Sequence, residues 1–173
     1  MGDIQNNVKF RNNNIEEPDF YLGAILNKKE LNCQMMWTMT IQEYIKSAID
    51  NLENKLNKKR LNLNACAGTP MKMGYKPEID SSSEIDQEAI TIFYEIIGII
   101  RWAVDIGRVD ILTEISILSS YQDSPKKGRL KQIYHVFDFL KKNSNLTLYS
   151  DPIETLIGQS WFRGDSVDNF KNK

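Results

Sequence analysis

The sequence has few of the residues that bind metals or act as nucleophiles. Among 173 residues there is one histidine, His135, and there are two cysteines, Cys33 and Cys66. Two cysteines so far apart fit neither a zinc site nor a disulfide-rich scaffold. No Gly-x-Ser-x-Gly motif is present, and the glycine-containing residues 68–74 lack the Gly-Lys-Ser/Thr ending of a P-loop. We therefore expect no catalytic residue, no metal site and no cofactor, so the chain should not be an enzyme on its own.

The sequence also has little net charge and no long apolar run. Lysine and arginine number 22 and aspartate and glutamate 23, which gives a formal net charge of −1. Non-specific nucleic-acid binding usually requires a basic protein, so any such role here must depend on a local patch. Residues 96–104 form the longest apolar stretch, which is interrupted by Arg101 and is too short for a membrane span. With no signal-peptide pattern at the N-terminus either, we expect a cytoplasmic or nuclear protein without a membrane partner.

The pattern of apolar residues predicts an α+β, mainly helical fold. Two short apolar runs, residues 20–26 and 33–39, favour a β-hairpin whose turn is the polar stretch 27–32. Thr40 and Glu43 have the spacing of a capping box at the start of an amphipathic helix, which should extend to about residue 58.

Three further helices are expected after a long loop. Ser83 is predicted to cap a central, mostly apolar helix that ends at Gly107, and another helix covers about residues 109–121. Ser124 and Pro125 have the order expected for the N-cap and first position of the last helix, whose apolar stripe includes Phe137. A short final strand is predicted near residues 146–149.

These patterns divide the chain into five segments. They are a loose leader (1–17), a hairpin with the first helix (18–58), a loop (59–82), a three-helix region (83–149) and an irregular tail (150–173).

The remaining polar residues favour structural roles. His135 lies among apolar positions of the last predicted helix, where a packing role is expected. Asp110 and Glu114 stand one helical turn apart, and we expect them to take part in an ion-pair network across the turn at Gly107. The other charged members of that network would be Arg101, Asp105 and Arg108.

Basic residues gather at two places, which makes them the candidate nucleic-acid-binding residues. The first cluster ends the first helix, where the helix dipole favours cations, and the second opens the last helix, where the dipole opposes them. A phosphate backbone would give the second cluster a purpose, although solvated lysines explain it about equally well. The two clusters are Lys55, Lys58, Lys59 and Arg60, and Lys126, Lys127, Arg129 and Lys131.

An ordered set of short motifs resembles the copia-type retrotransposon Pol polyprotein, in the stretch that follows the polymerase palm. The similarity covers about residues 18–152, and each motif is weak alone whereas their order and spacing are fairly specific. The motifs lie at residues 21–23 (Tyr-Leu-Gly), 44–49, 69–71 (Thr-Pro-Met), 94–102, 107–116 and 130–141.

This resemblance implies the end of a reverse transcriptase palm, followed by a four-helix thumb/connection-like bundle and a short final strand. In that family the polymerase aspartates lie upstream of the Tyr-Leu-Gly strand and the RNase H carboxylates lie downstream, so the magnesium of the parent enzyme would be bound outside this chain. Thumb segments grip the primer–template duplex by its backbone. The leader and the residues after 152 depart from the family pattern, which suggests a reading frame cut at both ends.

Two alternatives to a duplex-gripping fragment stay open. One is a helical protein-interaction module, which could associate with the rest of a Pol polyprotein or with itself through the hairpin edge. The other is a non-functional remnant, in which the hairpin face bearing Met35, Trp37 and Met39 lies uncovered and promotes aggregation.

Overall fold

A computed structural model describes residues 19–31, 34–58 and 60–150. Residues 1–18, which include the predicted leader, residues 32–33, Lys59 and the tail after residue 150 lie outside the described residues, and so do the predictions made for them. The elements in chain order are β1 (Phe20–Tyr21), β2 (Ala24–Leu31), β3 (Gln34–Thr40), α1 (Gln42–Lys58), α2 (Gln87–Ile106), α3 (Leu112–Ser119), α4 (Lys127–Lys142) and β4 (Thr147–Ser150). The α+β, mainly helical class, with an N-terminal hairpin and a final strand, is confirmed.

The strands form one antiparallel sheet in the order β1-β2-β3-β4. β1 and β2 are joined by Leu22 and Gly23, whose φ angles of 52° and 95° are both positive, as a tight two-residue hairpin turn requires. β2 and β3 pair from Ile25 with Thr40 to Leu31 with Gln34. The polar stretch 27–31 is therefore strand and not the predicted turn, because its backbone pairs with β3 while its side chains face solvent.

The helices pack around α2, which buries more side chains than any other described helix, as its sequence predicts. Eight of its side chains are buried, and the core continues into α1 and α4. The predicted stripe on α4 is confirmed, because Ile133, Phe137 and Leu140 are fully buried. The Tyr44 hydroxyl of α1 donates to the Ile99 carbonyl oxygen at 3.1 Å, which ties the first helix to the central one.

The sheet rests against the end of α2, where Gly107 is the C-cap that the sequence predicts. A Cβ atom at this position would lie 3.3 Å from Leu148 Cδ1 and 3.4 Å from Met39 Cε, so glycine permits the close approach of the sheet. Met39 packs against the core and Trp37 is partly buried, whereas Met35 is 59% exposed. The predicted uncovered face is thus limited to the distal end of the hairpin.

Three predicted N-caps are wrong, each because another partner binds the residue. Thr40 is the last residue of β3, and its hydroxyl donates to the Leu146 carbonyl oxygen. The Ser83 carbonyl accepts from the Lys127 amide, and the N-cap of α2 is Asp86, which accepts from the Ala89 amide at 2.8 Å. Ser124 accepts from Arg129, and α4 begins at Lys127.

The predicted ion-pair network at Gly107 is smaller than expected. Arg108 is buried, and its guanidinium donates twice to Asp110, at 2.9 and 2.8 Å. Its Nη1 atom also donates to the Asn143 carbonyl oxygen at 2.7 Å. Arg108 therefore holds the α2–α3 turn to the end of α4 and is not part of a binding site.

Candidate nucleic-acid interface

Arg129 is a buried part of the structure, although its sequence context predicted a contact with phosphate. The residue is 4% exposed, and Nη2 donates to the Pro77 carbonyl oxygen at 3.0 Å while Nη1 donates to the Ser124 carbonyl oxygen. The guanidinium carbon lies 4.1 Å from the centre of the Tyr121 ring, a cation–π distance. Because its donors point inward, Arg129 fixes the loop onto α4 and is unavailable to an external ligand.

Lys126 also has an internal partner, since its Nζ atom donates to the Asp80 carbonyl oxygen at 2.8 Å. Asp80 in turn accepts from the Tyr75 hydroxyl and from the Ser82 amide, both at 2.9 Å. Burial alone would raise the pKa of the Asp80 carboxyl, but the hydrogen bonds from Ser82 and Tyr75 and the nearby Arg129 charge lower it overall. Burial and the Asp80 contact raise the pKa of the Tyr75 phenol, which stays protonated at neutral pH.

Gln132 holds the middle of the loop to α4. It is 2% exposed, its Nε2 atom donates to the Pro70 carbonyl oxygen at 3.0 Å, and its Oε1 atom accepts from the Lys72 amide at 3.3 Å. Further along, the Asn64 amide donates to Asp138 Oδ1 at 2.7 Å. The loop thus runs antiparallel to α4, from Asp138 back to Lys126.

Four of the eight predicted cations remain free to contact a ligand. The side chains of Lys58, Arg60, Lys127 and Lys131 are exposed and make no hydrogen bond or ion pair with any described residue. Lys127 and Lys131 are one turn apart, so they share a face of α4. Lys55 instead pairs with Glu95 of α2.

Sequence reasoning missed two further cations of the same surface. Lys72 and Lys76 are exposed on the loop, beside α4, because the Gln132 and Arg129 contacts place that stretch there. Because the loop has no periodic pattern, its sequence does not show which loop residues lie beside which residues of α4. These two lysines could therefore not be predicted. We call Lys72, Lys76, Lys127 and Lys131 the basic strip. Lys58 lies instead beside Glu88 and Thr91.

Charge is segregated in the chain even though the total is near zero. Residues 55–82 carry six basic and two acidic side chains, and residues 126–142 carry six basic and one acidic. The intervening residues 83–125, which contain α2 and α3, carry two basic and eight acidic side chains. Because the two basic segments lie against each other, the loop–α4 side is positive while the α2–α3 segment is negative.

Comparison with known proteins adds no family: no protein-family model, curated protein or solved structure matches the chain. Within the part of the chain that the structure describes, no helix is long and apolar enough to cross a membrane.

Proposed function

We propose that the chain is the palm-end and thumb/connection segment of a copia-type reverse transcriptase and that it holds a nucleic-acid duplex by its phosphates. The observation that carries the proposal is the basic strip, whose side chains are exposed and have no ion-pair partner among the described residues. The chain would work in the cytoplasm or nucleus, with the aspartates and magnesium of the polymerase supplied by the rest of the Pol polyprotein.

The spacing of the strip's lysines on α4 suits a duplex backbone. From Lys127 to Lys131 the helix rises by about 6 Å, at about 1.5 Å per residue. With one phosphate per 3.4 Å along each strand, these two lysines would face phosphates about two base pairs apart. The loop contacts made by Gln132 and Arg129 support the proposal, because they hold both rows of cations in one fixed arrangement.

The alternative, a self-associating interaction module, has one observation in its favour. β1 pairs with β2 only at Ala24 and Ile25, and no other described strand covers the outer edge of β2. Leu31 on β2 and Met35 on the neighbouring strand β3 are 40% and 59% exposed. An edge of this kind is a pairing site for a second copy of the chain.

The test is fluorescence anisotropy of the purified chain with a labelled RNA–DNA hybrid over a series of salt concentrations. Binding should weaken as salt rises, because each phosphate contact contributes about 0.9 to the slope of log affinity against log salt. The double variant Lys127→Gln/Lys131→Gln should lower that slope by about 2.

A matched control is Lys29→Gln/Lys46→Gln, which removes the same charge from exposed positions on β2 and α1, away from the strip. It should leave the slope nearly unchanged. Equal losses in both double variants would show that net charge matters and that the strip does not. A folded chain that binds no hybrid would refute the proposal, and a dimer in light scattering would then favour the alternative.

A further inference from the structure

A groove lies between the loop and α4 and shares Lys72 and Lys131 with the basic strip, but it also contains aromatic side chains. It has a volume of about 350 Å³, which is at the small end of the roughly 300–1,000 Å³ typical of small-molecule sites. Its lining consists of Lys72, Tyr75, Gly128, Lys131, Gln132, Tyr134, His135 and Asp138. A groove of this size can hold one small ligand but not a duplex.

The walls of the groove are fixed before any ligand binds. On the loop side, Tyr75 is held by its hydrogen bond to Asp80, and the Lys72 backbone is held by Gln132. On the helix side, the Gly128 amide donates to the Ser82 hydroxyl at 2.8 Å. Such preorganisation lowers the entropic cost of binding.

The charged groups of the groove select an anion. The side chains of Lys72 and Lys131 are exposed, and their ammonium groups have no acceptor among the described residues. The one carboxylate of the lining, Asp138, already accepts the Asn64 amide. The Nε2 atom of His135 is buried and has no hydrogen-bond partner in the described part of the chain, which is unusual for a buried polar atom.

The uncharged groups select a planar ring. Tyr75 and Tyr134 both line the groove, and burial raises the pKa of the Tyr134 phenol as it does that of Tyr75, so both rings are neutral. Aromatic side chains stack on nucleic-acid bases, and stacking does not depend on which base is present. Lysine ammonium groups complement a phosphate as point charges.

We propose that this groove binds a phosphate ester carried on a planar base, with the phosphate between Lys72 and Lys131 and the base against the tyrosines. Two sources share this chemistry: a free mononucleotide and the phosphorylated end of a nucleic-acid strand. This site goes beyond the proposed duplex grip and does not require it.

The experiment uses His135 as a reporter, because it is the single histidine of the chain and gives one imidazole spin system in ¹H–¹⁵N NMR spectra. Titration with adenosine monophosphate should move its signals in a saturable way. Adenosine and ribose 5-phosphate, which each lack one half of the ligand, should bind at least about tenfold more weakly. A trinucleotide with a 5′-phosphate, compared with the same trinucleotide without it, distinguishes a strand end from a free nucleotide.

Lys72→Gln and Lys131→Gln should each weaken binding of adenosine monophosphate about tenfold, as loss of a charge-assisted contact does. Both positions are exposed, so these variants should fold. Lys142→Gln, on the same helix but outside the groove, should bind like the parent chain. No saturable shift of His135 at high millimolar nucleotide, or equal binding of all three compounds, would overturn the proposal. Because duplex affinity is measured separately by anisotropy, failure of one proposal leaves the other standing.

Discussion

The two sides of the helical layer are built by different interactions. The α2 side is held by apolar contacts, with Phe93, Ile97 and Ala103 all fully buried, and its exposed surface is acidic. The loop–α4 side is held by long polar side chains, Arg129 and Gln132, which donate to backbone carbonyl oxygens, and its exposed surface is basic.

The difference shows how a loop of more than twenty residues can have a fixed position. Loops of that length without secondary structure are usually mobile or functional. Here the buried donors of α4 bind loop carbonyl oxygens, so each contact both positions the loop and gives a backbone acceptor a partner. We expect mutations on the α2 side to affect global stability most, and mutations on the loop–α4 side to release the loop.

The largest expected effect is that of Phe93→Ala in α2. The side chain is fully buried, so its truncation should lower the free energy of unfolding by about 3–5 kcal/mol, through lost burial and the cavity left behind. Urea denaturation with an unchanged m-value would measure it. The exposed neighbour Thr91→Ala is the control and should change stability by less than about 0.5 kcal/mol. Equal effects of the two variants would contradict the view that α2 is the centre of the core.

This side is also the part of the fold that the sequence predicts well. Apolar spacing located α1, α2 and α4 and their buried faces, because burial follows directly from helical periodicity. The hairpin turn and the N-caps were predicted wrongly, because Asn27, Thr40 and Ser83 each have local signals that partners elsewhere in the chain override. Thr40, for example, donates to Leu146, which lies 106 residues away.

Only part of the candidate site could be predicted from the sequence. Lys127 and Lys131 were recognised because cations at a helix N-terminus need an explanation, and both are exposed. Arg129 has the same local context, yet it is buried under the loop, where it donates to the Pro77 carbonyl oxygen. Because that loop has no periodic pattern, this contact could not be predicted from the sequence. The register of that loop is set by Gln132, whose role cannot be inferred until its partners are known.

A second, smaller effect is expected for Arg129→Met, which keeps the length of the side chain but removes its donors. The Pro77 and Ser124 carbonyl oxygens would lose a buried partner, at a cost of about 1–3 kcal/mol. Because Arg129 Nε has no hydrogen-bond partner among the described residues, part of the charge is poorly solvated in the parent chain, which keeps the effect below that of Phe93→Ala.

The same variant should release the loop, which limited trypsin digestion would detect as faster cleavage after Lys72. Lys131→Met is the matched control, since Lys131 is exposed and lies on the same helix. If cleavage at Lys72 were equally slow in both variants, Arg129 would not be what holds the loop.

The smallest expected change in stability gives the sharpest test, because the structure predicts destabilisation where stabilisation is usual. Replacing glycine by alanine within a helix ordinarily stabilises a protein by about 0.5–1 kcal/mol. At Gly128, in the first turn of α4, a Cβ atom would lie 2.7 Å from Asp80 Oδ1 and still closer to Oδ2. The Asp80 carboxylate would have to move, which would break its hydrogen bonds from Tyr75 and Ser82. We therefore expect Gly128→Ala to destabilise the chain by about 1 kcal/mol.

The sign should reverse when Asp80 is replaced first. In the Asp80→Ala background the added methyl group meets no carboxylate, so Gly128→Ala should be neutral or stabilise by up to about 0.5 kcal/mol, and a double-mutant cycle by urea denaturation measures the coupling. Stabilisation in both backgrounds would mean that Asp80 moves at little cost. The polar contacts would then follow the position of the loop instead of fixing it, and the distinction between the two sides of the molecule would lose its physical basis.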